Sequence, residues 1–332
     1  MTLNAKSMPL VSVVIPVHNT AAYLSECIES VLRQRYSNWE LVIVDNASTD
    51  GSRDIALSYA RQDSRLRVFQ YDELLPQVPN YNRALAQISP ESRYVKVLEA
   101  DNWLFPECLE KMVGLAEESP SVAVVSSYNV TETRVRMTGL PLARTVVNGR
   151  ELARMQLRSD AYLFGAPTTV LMRADLVRAT TPFYDESYLI AEDQSACFDA
   201  LRQFDFGFVH QILSFVRTEN ESILSKIRGF DPQHLDRLVL LRRHGHDFFD
   251  TQEYNAVESV IMKRYYAALA EGLLSRQGPA FWRFHRSGLE SIGLALDKVR
   301  LARAVSRELV SRVLNPVPHL KDLLRITGVI KH

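Results

Sequence analysis

Short β-branched runs alternate with stretches whose apolar residues recur at helical spacing along the front part of the chain. "LVSVVIPV" (10–17) and "ELVIVD" (40–45) are unbroken apolar runs of strand length, the pattern of strands buried on both faces. "RLRVFQY" (65–71) and "YVKVLEAD" (94–101) read as the third and fourth strands. Between the first two lies a helix whose apolar face is Leu24, Ile28, Val31 and Leu32. "STDGSRDIALSYARQ" opens a second helix, with Ser48, Thr49 or Asp50 as its cap. A third begins in "VPNYNRALAQI" (78–88), and a fourth runs from Pro106 to about Ser119. The alternation predicts an α/β fold with a largely parallel sheet. After "VAVVSSYNV" the pattern mixes a helix near 149–157, a strand at "TTVLMR", a helix from Asp193 to Gln203 and a strand near "FGFVHQIL". Beyond residue 230 the strand signals stop, and long helical sequence leads to a Pro-punctuated tail with "NPVPH". The expected division is an α/β domain over 1–228 and a helical region over 229–332.

At 332 residues and 46% hydrophobic content the chain can bury a substantial core. No apolar run is long enough to span a bilayer, and the first ten residues lack the order of a signal peptide, so a cytoplasmic protein is expected. Cys27, Cys108 and Cys197 are far apart without CxxC spacing and read as reduced core residues. The net charge of zero conceals an asymmetry: residues 226–332 carry 18 Lys and Arg against 11 Asp and Glu, residues 1–225 carry 21 against 28. An acidic front without a basic reading motif argues against nucleic acid as a partner. The basic helical end, with Arg among apolar residues in "LALDKVRLARAVSRELVSRVL", fits either a packed helix or peripheral contact with the cytoplasmic face of a membrane.

In open α/β sheets ligands bind beyond the carboxyl ends of the strands. Polar residues collect at four such places: Pro16-Val17-His18-Asn19, Asp45-Asn46-Ala47-Ser48, the approach to Asn80-Tyr81-Asn82, and Glu99-Ala100-Asp101-Asn102. If the fourth strand continues through Asp101, the side chains of Glu99 and Asp101 share one face. Two neighbouring carboxylates repel unless a cation compensates them, and hard oxygen ligands suit Mg²⁺ or Mn²⁺.

"VSVVIPVHNTAAYLSECIESVLRQRYSNWELVIVDNASTDGS", Asn82, the acidic strand end, "FYDESYLIAEDQSACFDAL" and "FVRTENESI" together resemble the family 2 glycosyltransferases of the GT-A fold, over about residues 10–223. The resemblance implies a mostly parallel mixed sheet flanked by helices, a nucleotide-sugar donor and a Mn²⁺ or Mg²⁺ cofactor. It implies that Asp45 accepts the uracil N3–H, while Pro16, Val17 and His18 line the base and ribose pocket beside Asn19. It assigns metal contact to Asp101. Glu99 stands where the family has Asp, leaving metal contact or a hydrogen bond to the donor as its alternatives. Ala100, Asn102 and Trp103 complete that segment, with Trp103 as an acceptor platform or a packed core residue. Asn82 matches the Asn of the family's "ARNxG", although Tyr81 replaces its Arg. Of the Glu192–Asp193 pair, Asp193 is the implied general base. In the segment resembling "YRxHxxS", Arg217 and Ser222 match, and Glu219 replaces the His.

The resulting expectation is an inverting, metal-dependent transfer of a sugar, from a UDP-sugar foremost, to a hydroxyl of a glycan or lipid-linked acceptor in polysaccharide biosynthesis. The competing reading is a non-catalytic sugar-nucleotide or glycan-binding protein that keeps the fold. A nucleotidyltransferase is disfavoured because "PVHNTAAYL" has neither the glycines nor the Arg of a phosphate-cradling loop.

Overall fold

The computed structural model describes residues 8–159, 162–188, 191–218 and 228–314. The chain forms two compact units, Met1–Ser222 and Ile223–His332.

In the first unit the elements are β1 (Val11–Val17), α1 (Ala21–Leu32), β2 (Trp39–Asn46), α2 (Ser52–Ala60), β3 (Leu66–Tyr71), α3 (Gln77–Leu85), β4 (Tyr94–Val97), β5 (Trp103–Leu104), α4 (Cys108–Glu118), β6 (Val122–Val130), β7 (Val135–Arg136), β8 (Val146–Val147), α5 (Gly149–Arg158), β9 (Leu171–Arg173), α6 (Ala174–Ala179), α7 (Glu192–Leu201) and β10 (Asp205–Phe215). The described strands make one sheet in the order β3-β2-β1-β4-β9-β6-β10-β5, with β7 beside β6 and β8 beside β10. The long ladders, β1 with β2, β2 with β3 and β6 with β10, are parallel. The antiparallel pairings made by β5, β7, β8 and β9 extend over two residues each. The sheet is therefore mixed but mostly parallel, with helices against it.

β1 and β2 are buried at every position, as their unbroken apolar runs predict. Val11, Val13, Ile15, Leu41 and Ile43 pack against Leu24, Cys27, Ile28 and Val31 of α1 and against Met112 and Val113 of α4. All three cysteines are free and buried.

Two strands depart from the sequence expectation. "TTVLMR" gives only β9, because Pro167–Thr169 forms a 3₁₀ turn first. β4 ends at Val97 rather than Asp101, and Glu99 to Asn102 form a turn closed by the Asn102 N–H on the Glu99 carbonyl at 3.0 Å. The Glu99 N–H is taken by the Thr168 hydroxyl (3.1 Å) instead of a strand carbonyl, which ends the ladder. The same-face argument for Glu99 and Asp101 thus rested on a strand that is not there.

Lys96, in the middle of β4, is 0% exposed. Its Nζ meets only the Val170 carbonyl at 3.4 Å and the Met112 sulfur at 3.7 Å, and burial pushes its pKa down. A desolvated amine with so little compensation is costly. Lys96→Met is expected to raise unfolding stability by about 1–3 kcal/mol in urea titrations. The depressed native pKa means that the lysine's penalty is absent above the unfolded lysine's ordinary value of about 10.4 and grows as pH falls from there towards the native value, so the variant's advantage should be larger at neutral pH than at pH 11.

The second unit contains α8 (Pro232–Phe248), α9 (Thr251–Leu274), α10 (Pro279–Glu290) and α11 (Lys298–Leu314). Leu235, Leu238, Leu241, Tyr265, Leu269, Phe281 and Leu289 are buried. Gly272 is required where α9 meets α10, since a Cβ there would lie 2.4 Å from the Phe281 ring. α11 buries no residue fully. It is tied to α9 by an Arg312–Glu271 ion pair, and its leading Asp297 N–H donates to the Tyr266 hydroxyl at 2.9 Å. No described helix is long and apolar enough to cross a membrane.

Candidate active site

The loops after β1 and β2 form one side of the site. Asp45, the penultimate residue of β2, has a fully buried side chain whose Oδ2 accepts from Arg53 Nε at 2.9 Å. Arg53 also reaches Asp72 Oδ1 (3.2 Å) and the Tyr71 carbonyl (3.4 Å). The other carboxylate oxygen, Asp45 Oδ1, is buried with no hydrogen-bond partner among the described residues. An orphaned buried acceptor is expensive and marks a position where a ligand donor would be rewarded.

Around Asp45 the neighbouring polar residues hold the loops. Asn46 exchanges two 2.9 Å bonds with the Leu75 backbone. His18 is exposed, and its Nδ1 faces the Asn46 carbonyl at 2.7 Å, so Nδ1 carries the proton. Asn19 adopts a left-handed φ of 51° and its Oδ1 accepts from the Thr49 N–H at 2.8 Å, committing that side chain to the loop. Asp50 serves two helices at once: Oδ2 accepts from the Ala21 N–H of α1 (2.9 Å), and Oδ1 from the Ser52 N–H of α2 (3.0 Å). Although burial works the other way, the Ser52 and Ala21 bonds hold the Asp50 carboxyl below its ordinary value. The N-cap of α2 is Gly51, whose φ of 94° suits glycine.

The second side is the Glu99–Asn102 turn. Glu99 Oε1 accepts from the Tyr81 hydroxyl (3.3 Å), and Oε2 from Asn102 Nδ2 (3.0 Å) and the Thr168 hydroxyl (3.1 Å). Burial first, then the neighbouring Asp101 charge, push the Glu99 carboxyl up to about 7. Ala100 is buried and Asp101 half-buried. Arg217 clamps the turn from behind: its N–H donates to Asn102 Oδ1 (2.8 Å), its Nε to the Asp101 carbonyl (3.1 Å) and its Nη2 to Glu26 (3.3 Å). Trp103 is half-buried and stacks on Phe215 with centroids 3.7 Å apart and planes 8° off parallel.

The third side is the start of α7. Glu192 and Asp193 occupy its first turn, after Ala191 in left-handed conformation at φ 71°. Asp193 Oδ1 accepts from the Gln194 N–H (2.8 Å) and Oδ2 from the Tyr162 hydroxyl (3.3 Å). Burial and the charges of Glu192 and Glu99 raise its pKa to about 8, and burial raises Glu192 as well. The phenols of Tyr81, Tyr162 and Tyr184 are raised by burial and by these same carboxylates. Segments more than a hundred residues apart in sequence therefore share one acidic, tyrosine-lined neighbourhood. Asn82 links two of them: its Nδ2 donates to the Tyr184 carbonyl and its Oδ1 accepts from the Tyr184 N–H, both at 2.8 Å.

The expected site residues thus divide. Asp45, Glu99, Asp101, Glu192 and Asp193 supply chemistry-bearing groups, whereas Asn19, Asn82, Asn102 and Arg217 hold backbone in place. Arg83 stacks 4.0 Å over the Tyr71 ring and donates to Asn46 and Asn80, a packing role. Glu219 and Ser222 lie outside the described residues. Sequence reasoning missed Arg53, Tyr162, Thr168 and Tyr184 and named Asp50 only as a helix cap; Arg53, Thr168 and Tyr184 stood inside segments it had quoted for other reasons.

The donor set fits a hard divalent ion. It is all oxygen, and Glu99 and Asp101 carry mutual repulsion that a cation would relieve. Among the described residues no three Asp, Glu, His or Cys side chains converge to form a complete cage. Mg²⁺ is commonly bound through one or two carboxylates, with water and substrate oxygens completing the shell.

A mostly parallel sheet, an unpaired buried acceptor at the end of β2 and a buried acidic cluster define an α/β protein with one candidate site at the ends of its strands. The sequence model of the family described as Glycosyl transferase family 2 matches residues 12–180, and the chain belongs to that family. The chain is 36% identical over 173 residues to EpsE of Bacillus subtilis (52% of this chain, 59% of EpsE). It is 33% identical over 138 residues to TuaG of the same organism, which is named for teichuronic acid biosynthesis (42% and 52%). It is 31% identical over 119 residues to the glycosyltransferase GlyG of Streptococcus pneumoniae (36% and 39%). These matches cover about half the length of those relatives, or less in the case of GlyG. In architecture the chain is similar to S. aureus TarS 1–349, solved in complex with UDP-GlcNAc, with a TM-score of 0.62 at 17% identity over 90% of this chain and 88% of that one. The fold is GT-A.

Proposed function

We propose that this chain is an inverting glycosyltransferase that moves a sugar from a UDP-sugar to a hydroxyl of a surface glycan or lipid-linked acceptor. The observation that carries the reading is the buried carboxylate cluster at the mouth of the sheet, in which Glu99, Glu192 and Asp193 are all held above their ordinary pKa. Perturbed acids concentrated in this way are a hallmark of catalytic sites. Support comes from the family membership, from relatives such as TuaG and from the UDP-GlcNAc complex of TarS.

In this reading the catalytic domain is 1–228, and 229–332 forms a separate helical region. Asp45 Oδ1 accepts the uracil N3–H, and the strand end Pro16–His18 walls the base and ribose. Asp101 would hold the divalent ion, which when bound neutralises charge developing on the departing diphosphate. Glu99, fixed by Tyr81, Asn102 and Thr168, presents its carboxyl to the donor sugar or ribose. Asp193 takes the proton from the acceptor hydroxyl as that oxygen attacks the anomeric carbon from the face opposite UDP, which inverts the configuration. Tyr162 orients Asp193, and Asn82 holds the Tyr184 segment that leads to it.

The test is transfer from UDP-hexoses and UDP-N-acetylhexosamines with Mn²⁺. Asp101→Asn is expected to lower kcat/KM by about a hundredfold or more, and chelation should impose a similar loss on the parent but little further loss on the variant. A transfer rate indifferent to EDTA removes the ion from the account. UDP binding without turnover on any acceptor returns the chain to a binding role.

A further inference from the structure

The second unit contains a cavity that transfer chemistry does not use. Between α9 and α11 lies an open groove of about 460 Å³ lined by Lys263, Tyr266, Arg300, Arg303 and Arg307, among others. Its one carboxylate, Glu258, is already paired with Arg242 at 2.8 Å. Arg300 pairs with Asp297 at the start of α11 (3.3 Å). Lys263, Arg303 and Arg307 are exposed and have no carboxylate partner among the described residues. Three uncompensated cations around a groove form a site for an anion with several oxygens.

What lies next to those cations narrows the ligand. At 100° per residue, Arg300, Arg303 and Arg307 form a row along one flank of α11. Bordering it are Val299 and Val310, with Val313 and Leu309 beyond, while Leu314 continues the row itself towards the end of the helix. All five are exposed, Val313 and Leu314 by 79%. A soluble anion would need only the cations. An arginine row with an apolar ridge beside it is the arrangement of a helix lying in a membrane interface, cations at headgroup depth and aliphatic side chains in the acyl boundary.

We propose that the α9–α11 groove binds the phosphate of an anionic lipid headgroup, with the Val299–Leu314 ridge entering the bilayer surface. The proposal is independent of the transfer reading, because no residue of the groove belongs to the acidic cluster.

The test is sedimentation of the full chain with vesicles of phosphatidylcholine alone or with about one-third phosphatidylglycerol. Binding is expected only to the anionic vesicles, weakening as salt is raised. The double variant Arg303→Glu/Arg307→Glu should lose at least about tenfold in partitioning, since each cation near such a surface contributes several-fold. Val310→Ser/Val313→Ser should also bind more weakly. These positions are exposed, so unchanged melting temperatures and transfer rates would show that the variants are folded. Equal pelleting of the parent and the arginine variant overturns the proposal. So does titration of inorganic pyrophosphate into the parent, but not the variant, without vesicle binding by either; the site would then serve a soluble phosphate. Retention on single-stranded DNA in preference to vesicles would overturn it too.

Discussion

Asp193→Asn is expected to transfer sugar at least about a thousandfold more slowly than the parent while binding UDP unchanged. The amide keeps the shape and can still accept from Tyr162, but it cannot take a proton. The parent's acid limb carries further information. In the ligand-free protein the carboxyl stands at about 8, raised by burial and by Glu192 and Glu99, so the basic form becomes dominant only above that pH. The kcat/KM profile should therefore rise through an apparent pKa well above the ordinary carboxylate value of about 3.9, and Glu192→Gln should move that limb to lower pH by removing one repelling charge. Stability follows the opposite sign. A carboxyl raised in the native state contributes stability that is fully present below its unfolded pKa and is lost as pH rises through the native value. Asp193→Asn should match the parent's melting temperature near pH 4 and exceed it by pH 9. A variant that transfers normally refutes the base assignment; one that is slow but shows no pH-dependent gain in stability refutes the electrostatic description.

Replacement of Asp45 should produce the second large effect, on donor choice. Its Oδ1 is an unpaired acceptor, and uracil presents a donor at N3 where cytosine presents an acceptor. The parent is expected to bind UDP about 10- to 100-fold more tightly than CDP, measured calorimetrically. Asp45→Asn should narrow that gap from both directions, because an amide can offer N–H to cytosine. Asp45→Ala should lose UDP affinity and also lower the unfolding midpoint, since Arg53 is left without its buried partner. Equal affinity of the parent for the two nucleotides would separate Asp45 from base recognition.

How far these residues were legible from sequence depended on the range of their partners. Asp45 stood out because a carboxylate closes an apolar run, and burial without a partner implied a donor somewhere. Nothing in helix spacing distinguishes that donor, Arg53, from Arg61. Asn19 and Asn82 were found by position, but their work is done on Thr49 and Tyr184, the latter 102 residues away. The period-two reading of Glu99 and Asp101 failed because Thr168, 69 residues on, replaces a strand carbonyl and turns the chain. Tyr162 sits in a connecting segment where neither helical nor strand periodicity exists to mark it, and Thr168 lies in a 3₁₀ turn at the head of a run that reads as strand. The fold, by contrast, was readable because β1 and β2 are unbroken apolar runs rich in Val and Ile, and β1, β2 and β3 are neighbours in the sheet as they are in sequence.

The paired amide bonds between Asn82 and Tyr184 bear on any attempt to recombine relatives. The segment matched by the family ends at residue 180, a natural place to splice a donor-binding half from one parent onto an acceptor half from another. A junction there would separate Asn82 from the backbone it was selected to hold, and with it the approach to the basic carboxylate. Hybrids should cross over beyond residue 188, or import Asn82 and its surrounding helix together with the acceptor half.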